Sequence, residues 1–527
     1  MRSNVASTPH LRRIGSAITI GSVAAILFAT MLPASGELVG SHLCLVCGAR
    51  GGVDVILNIL LFIPLGIGLA LSGTAWNRAI LIACALSVTV ETVQFFFIPG
   101  RDATLGDVLT NTIGGAVGFA VASNAANRLR TATPIVAILG AGWCIAWLAI
   151  QAMSSFAFAP SIADSKYYGQ IARTLGDFAV FPGRVLEARI GDVPITDTQL
   201  RKVDSVDRRL LGGATVSAIV MAAAPTDGIA PIVRVTDDEQ REVVLLAQDE
   251  QSLVFGVRTG AATLRLRPPL FVIAGAFPSG IAKTSSFQGD PLRLSASYDG
   301  REAQLTAGTG SVSHHVRIPV SSSLGWTLVL PFQWYIEDTR TELLISLIWI
   351  ACLALPIGYL GASIARSNDQ RGNATLVVLC LLAGAATLIT GLLVVQHAFG
   401  LRPAPVRDWL AAISGMLVGG GIATRNWKRR GAEAAGDRSA ADRNRASGSM
   451  LAHDNESVLE SRVFPSGSGR RTLVNGTTTQ LRRTFLQLDA RMIPSEMTTR
   501  FSRPVFYSGD YKSGQPALAM TVNAGPQ

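Results

Sequence analysis

Charge is what this chain has least of. Of its 527 residues only 16% are Asp, Glu, Lys or Arg, while 49% are hydrophobic. Soluble globular chains carry about 25% charged residues, so the deficit excludes an ordinary cytosolic enzyme and a chain disordered throughout. What remains is a protein that spends much of its length in a bilayer. Aromatics are also scarce, at 7%, and none of the six cysteines falls in the polar block from Ser161 to Phe332. A fold in that block must hold by core packing, without disulfides. The net charge of +10 does not mark a nucleic-acid partner. After Thr424 there are 16 Arg and Lys against 9 Asp and Glu, so most of the excess sits in a tail.

Apolar stretches long enough to cross a bilayer, about 20 residues each, recur along the sequence. They run roughly Ile14–Ser35, Val53–Leu71, Ala79–Ile98, Leu105–Ala122, Pro134–Met153, Leu343–Ile364, Thr375–His397 and Trp409–Ala423. About eight transmembrane helices are therefore expected, five before the polar block and three after it. The first has Arg12 and Arg13 ahead of it, like a signal peptide. Its apolar run is too long for one and further spans follow, so it reads as a retained anchor. Cytoplasmic loops collect Lys and Arg. Arg2, Arg12, Arg13, Arg78, Arg128, Arg130, Arg366, Arg371 and the Arg425/Lys428/Arg429/Arg430 cluster all fall on one side under eight alternating crossings. This predicts cytoplasmic termini and an extracytoplasmic block. The domain expectation is a five-helix bundle at 1–153, a β domain at 154–340, a three-helix bundle at 341–424 and a disordered basic tail at 425–527, its first basic residues a stop-transfer signal.

Within the block, short β-branched or alternating segments are separated by turn signals: RVLEARI, ATVSAIVMA, APIVRVT, EVVLLAQ, SLVFGVR, ATLRLR, FVIAGAF, PLRLSASY and HHVRIPV. About ten strands with no helical period between them predict an all-β antiparallel sandwich, and Asp299-Gly300 marks a tight hairpin. The run PIVRVTDDEQREVVLLAQDEQSLVFGVRT followed by PLRLSASYDGREAQLTA resembles laminin-G-like or concanavalin-like jelly-roll domains. That resemblance implies carbohydrate binding, although fold alone does not license function. A protein-docking spacer is an equal expectation, because aromatic platforms are sparse. Asp237 and Asp238 offer a calcium site on paper; exposed turn carboxylates are the commoner reading.

The most informative polar residues lie where the membrane should be. Asp54 and Asn58 stand four apart in one span, Glu91 and Gln94 three apart in the next, and Asp107 and Asn111 four apart in the third, each pair on one helical face. On insertion scales a mid-membrane charge costs about 2.5–3.5 kcal/mol, so these groups should face a protein interior. Alternating topology brings all six to similar depth, with Arg101 in the connecting loop as their cation. Gly114 and Gly118 form a close-packing face, and Pro64 and Gly66 kink the second span. The series D-x-x-x-N, F-x-P-L-G, E-x-x-Q, P-G-R and D-x-x-x-N-x-x-G resembles the VanZ-like membrane family over roughly Ile14 to Met153. The namesake is associated with low-level teicoplanin resistance, but the family has no established catalytic chemistry. The extra domains here argue against carrying that resistance over.

The last spans echo the first. Pro64, Gly66, Gln94, Arg101, Asp107, Gly114 and Gly118 find counterparts in Pro356, Gly358, Gln396, Arg402, Asp408, Gly415 and Gly419, whereas Asp54, Asn58, Glu91 and Asn111 fall on Ser346, Ile350, Leu393 and Ala412. This predicts a degenerate second VanZ-like bundle acting as scaffold. Cys44 and Cys47 form a C-x-x-C in an outer loop, open to a local disulfide, a redox pair or half a zinc site, with the disulfide preferred. No cofactor and no resident metal are expected. The function expected is non-catalytic binding of an envelope glycan or lipid-linked precursor at the outer leaflet of the inner membrane, with the bilayer as the obligate partner. Alternatives are an enzyme acting on such a lipid through Glu91 and Asp107, a scaffold whose sandwich docks a protein, and a buried network that only fixes helix register.

Overall fold

The computed structural model describes residues 9–31, 45–46, 48–98, 103–127, 133–162, 166–173, 178–200, 210–221, 224–277, 290–309, 312–367 and 374–428. Cys44, Cys47, Arg101 and the tail after residue 428 lie outside them. Met1–Ala423 belong to one compact unit, to which everything below belongs; of the second, Thr424–Pro504, only residues 424–428 are described.

Long apolar runs become helices because only intrasegment hydrogen bonding satisfies a backbone in lipid. They are α1 (Pro9–Thr30), α2 (Gly51–Leu71), α3 (Trp76–Phe97), α4 (Leu105–Asn127), α5 (Thr133–Phe158), α6 (Arg340–Ser367), α7 (Ala374–Ala398) and α8, over 406–428. Seven are long and apolar enough to cross a membrane. The eighth expected span is helical but falls outside that set. Large apolar side chains such as Phe28, Leu81, Ile138, Leu381 and Leu417 project outward from the helices, as lipid-facing residues do.

The helices sort into two groups by their buried cores. Ile26, Phe62, Leu65, Leu69, Ala83, Val90 and Phe119 join α1 to α4. Trp147, Ile350, Ala354, Ile357, Leu388, Leu392 and Ala412 join α5 to α6, α7 and α8. The expectation of five helices followed by three places α5 with the first bundle. Its packing is with the second: Trp143 Nε1 donates to the Leu353 carbonyl at 2.9 Å, and Gly140 lies against Leu360 and Ile364.

Between α5 and α6 the chain builds two six-stranded sheets. One runs β1 (Tyr168–Ile171), β5 (Ala230–Thr236), β6 (Glu242–Asp249), β7 (Ser252–Val257), β8 (Leu270–Ile273), β12 (Tyr335–Ile336); all its pairs are antiparallel except β8 with β12. The other runs β11 (Val312–Pro319), β10 (Glu302–Thr309), β9 (Leu292–Tyr298), β4 (Val216–Met221), β2 (Arg184–Ile190), β3 (Val193–Pro194). Their inner faces share one core, in which the Phe271 and Tyr298 rings meet at 5.1 Å. The sequence signature of each sheet follows from its exposure. β9 and β10 alternate buried and open positions, whereas β6 and β7 are buried almost throughout because a second apolar cluster, with Leu245, Ala247 and Val254, lies on their other face. The Asp299-Gly300 turn joins β9 to β10 as expected, with Gly300 at φ +84° and the Asp299 carboxylate accepting the Arg301 and Glu302 amides at 2.8 and 2.9 Å. The ATLRLR segment is not a strand: Gly260–Thr263 turn as a short helix and Arg265 sits at φ +52°.

The sandwich is seated on the helix ends. The Gly52 amide donates to the Arg265 carbonyl at 3.1 Å, and Val53 of α2 belongs to the sandwich core. Tyr298 Oη donates to the Phe158 carbonyl at the end of α5 at 2.6 Å, and Arg402 pairs with Glu302 at 2.6 Å in the loop before α8. The start of α2, the end of α5 and the loop before α8 thus all touch the sandwich.

Candidate functional site

The polar positions of the first bundle lie at the start of α2, the end of α3 and the start of α4. Thr104 caps α4: its Oγ1 accepts the Asp107 amide at 3.1 Å and donates to Asp107 Oδ2 at 2.8 Å. The other carboxylate oxygen, Oδ1, accepts Asn58 Nδ2 of α2 at 2.5 Å. The Thr104 amide donates to Glu91 Oε2 of α3 at 3.1 Å. Asp107, Thr104, Asn58 and Glu91 therefore form one hydrogen-bonded set drawn from three helices. One turn along α4, Asn111 Nδ2 donates to Ser87 Oγ of α3 at 2.9 Å, while Asn111 Oδ1 is buried without a hydrogen-bond partner.

Not every expected member joins. Gln94 turns away to α1, where its Nε2 donates to the Thr30 carbonyl at 2.9 Å. Asp54, one turn before Asn58, is exposed, and its charge acts on Arg267 of the sandwich. Arg267 is held by the Leu330 and Pro331 carbonyls. Burial first, then the neighbouring Arg50, lowers its pKa to about 10, against the opposing pull of Asp54. Glu91 and Asn111 are buried, and Asp107 and Asn58 half-buried. Thr104, Ser87 and Thr30 escaped the sequence analysis, although T-L-G-D is a legible helix-start signal. Arg101, the expected counter-cation, lies outside the described residues.

The glycines are used for close approach. A Cβ on Gly114 would stand 2.3 Å from the Ile59 carbonyl oxygen, on Gly118 2.0 Å from that of Ile63, and on Gly66 2.0 Å from that of Gly115. Backbone contact of this kind holds α2 and α4 together and brings Asn58 to Asp107. Pro64 sits inside α2 without ending it.

The second bundle carries a polar set of its own, which the sequence analysis passed over in treating it as scaffold. Gln151 of α5 accepts Ser322 Oγ, which in turn accepts Gln396 Nε2 at 2.8 Å; Ser321 Oγ donates to Asp408 Oδ2 at 3.3 Å; Trp326 Nε1 donates to Ser346 Oγ at 3.0 Å. Gln151 in an otherwise apolar span was the available signal. In the sandwich, Asp237 is a turn carboxylate rather than a calcium ligand: it accepts the Glu239 and Arg241 amides and pairs with Arg241 Nε at 2.7 Å. Among the described residues, no group of three or more His, Cys, Asp or Glu side chains could hold a metal ion.

One comparison bears on this bundle. Residues 10–126 match the VanZ/LLP1 family model. That interval begins one residue into α1 and ends one residue before the end of α4, so the VanZ-like domain coincides with the first helical bundle. Comparison with curated proteins and with solved structures finds no match.

Proposed function

We propose that this multi-pass membrane protein of the cell envelope binds an envelope glycan or lipid-linked precursor, without transforming it, at the ends of α2, α3 and α4. The observation that carries the reading is the joining of Asn58, Glu91 and Asp107 through Thr104, beside an exposed Asp54. Carboxylates are costly near lipid unless a protein interior or a ligand uses them. In this reading the membrane is the inner one, the termini are cytoplasmic and the sandwich is extracytoplasmic, so the cluster opens at the outer leaflet. Phe95, Phe96 and Phe97, exposed at the end of α3, offer apolar rings to lipid chains beside the cluster. A laminin-G-like sandwich over the cluster would present the glycan to it.

Glu91→Gln, Asp107→Asn and Asp54→Asn, purified separately and scored for thermal unfolding and for co-purifying lipid, test the reading. Loss of retained lipid with folding preserved supports a ligand site. Unchanged lipid with lost stability reduces the cluster to a register-fixing network.

A further inference from the structure

The two bundles make the same backbone contacts. In the first, Gly114 and Gly118 of α4 meet the Ile59 and Ile63 carbonyls of α2, and Gly66 of α2 meets Gly115 of α4. In the second, Gly415 and Gly419 of α8 meet the Ala351 and Leu355 carbonyls of α6, and Gly358 of α6 meets Met416 of α8. One constant shift in sequence carries each α2 residue to its α6 counterpart, and another carries each α4 residue to its α8 counterpart. The remaining helices follow. Gly15 of α1 lies on Gly68 and Ser72 as Gly140 of α5 lies on Leu360 and Ile364, and Ala83 of α3 meets Gly115 as Gly384 of α7 meets Met416. Gln396 is one residue out of step with Gln94, and a π-helical turn at Thr390–Val395 supplies that residue. Each copy has four helices, so both run the same way through the membrane, and the sandwich is an insertion into the second copy's first loop.

This alignment gives the second copy's polar contacts a meaning. Ser346, Gln396 and Asp408 stand where Asp54, Gln94 and Asp107 stand in the first copy. All three are bonded by one segment of the sandwich, through Trp326, Ser322 and Ser321 respectively. They are sealed by it: Ser346 is 4% exposed, Gln396 0% and Asp408 1%. At the corresponding positions of the first copy Gln94 is buried as well, on the Thr30 carbonyl, but Asp54 is exposed and Asp107 half-buried, and the buried Asn111 Oδ1 beside Asp107 has no partner.

We infer that the second bundle is a copy of the first whose site is closed by the chain's own Ser321–Trp326, and that the open first copy takes the neutral, hydroxyl-bearing headgroup of a glycolipid along the same path. The inference rests on the ligand-site reading above and specifies its ligand class. In the closed copy the occupying groups are hydroxyls, which donate to a carboxylate and an amide oxygen, and a flat indole. A sugar offers the same pair of features, hydroxyls around an apolar ring face. Hydroxyls suit the carboxylates of Asp54 and Asp107 and the acceptor oxygen of Asn111.

The test uses the full chain in phosphatidylcholine nanodiscs doped with either digalactosyldiacylglycerol or phosphatidylglycerol, with bound lipid read by native mass spectrometry. The galactolipid should be retained by the wild type and by Asp408→Asn. Retention should fall about tenfold in Asp107→Asn and in Asp54→Ala, the latter at an exposed position, with thermal unfolding of each variant measured beside it. Equal losses in Asp408→Asn and Asp107→Asn would overturn the closed-copy assignment. Asp107-dependent retention of phosphatidylglycerol alone would overturn the neutral-headgroup assignment while leaving a ligand site in place. If neither lipid depends on Asp54 or Asp107, the ligand-site reading falls as well.

Discussion

Asp107 shows how one side chain can serve two structural purposes. Its amide is satisfied by the Thr104 cap, so the carboxylate is left to tie α2 to the start of α4. The glycines that permit that approach are testable one at a time. Gly66→Ala places a Cβ 2.0 Å from the Gly115 carbonyl oxygen, whereas Gly421 has nothing within 4 Å. Overpacking costs about 1–3 kcal/mol, so Gly66→Ala should lower the thermal unfolding temperature in detergent while Gly421→Ala leaves it nearly unchanged. Equal effects would refute the packing argument. In the sandwich, Asp249 accepts Tyr335 Oη at 2.5 Å, and burial raises its pKa despite that bond. The neutral carboxyl is therefore the form the fold prefers. Its contribution is complete below the unfolded value of about 3.9 and is lost as pH rises through the folded value. Unfolding followed from pH 4 to 7 should show Asp249→Asn gaining on the wild type as pH rises; parallel curves would contradict it.

At the scale of elements, α5 is the instructive case. Chain order attaches it to the four helices before it, and nothing in its apolar sequence says otherwise. Its partners, α6 and α7, are more than 180 residues away, beyond the sandwich. A protease site placed at 128–132, between the bundles, should leave the thermal unfolding of the cleaved chain unchanged, while one at 368–373, inside the second bundle, should lower it. The reverse order would return α5 to the first group. Much else was legible. Helices announced themselves by length and hydropathy, and most strands by alternation bounded by turn residues. The polar pairs on α2, α3 and α4 stood out because each is expensive in lipid. What could not be read was the partner choice of individual side chains: Gln94 shares a face with Glu91 but reaches α1, and Asp54 shares one with Asn58 but is drawn toward the sandwich. Helical periodicity fixes the face of a residue, not the neighbour across from it. ATLRLR failed as a strand because the positive φ at Arg265 serves the docking of α2 and the turn at Gly260 that of α5, tertiary demands with no local signal.

For the whole molecule, the sandwich is seated on the helix ends of both bundles, closing Ser346, Gln396 and Asp408 in one and leaving Asp54 exposed and Asp107 half-buried in the other. Hydrogen exchange of the full chain in nanodiscs, with and without lipid extracted from a bacterial envelope, tests that asymmetry most directly. Added protection is expected at residues 51–58 and 103–111, with none at the matching 343–350 and 404–412. Protection appearing equally in both copies, or in neither, would contradict it.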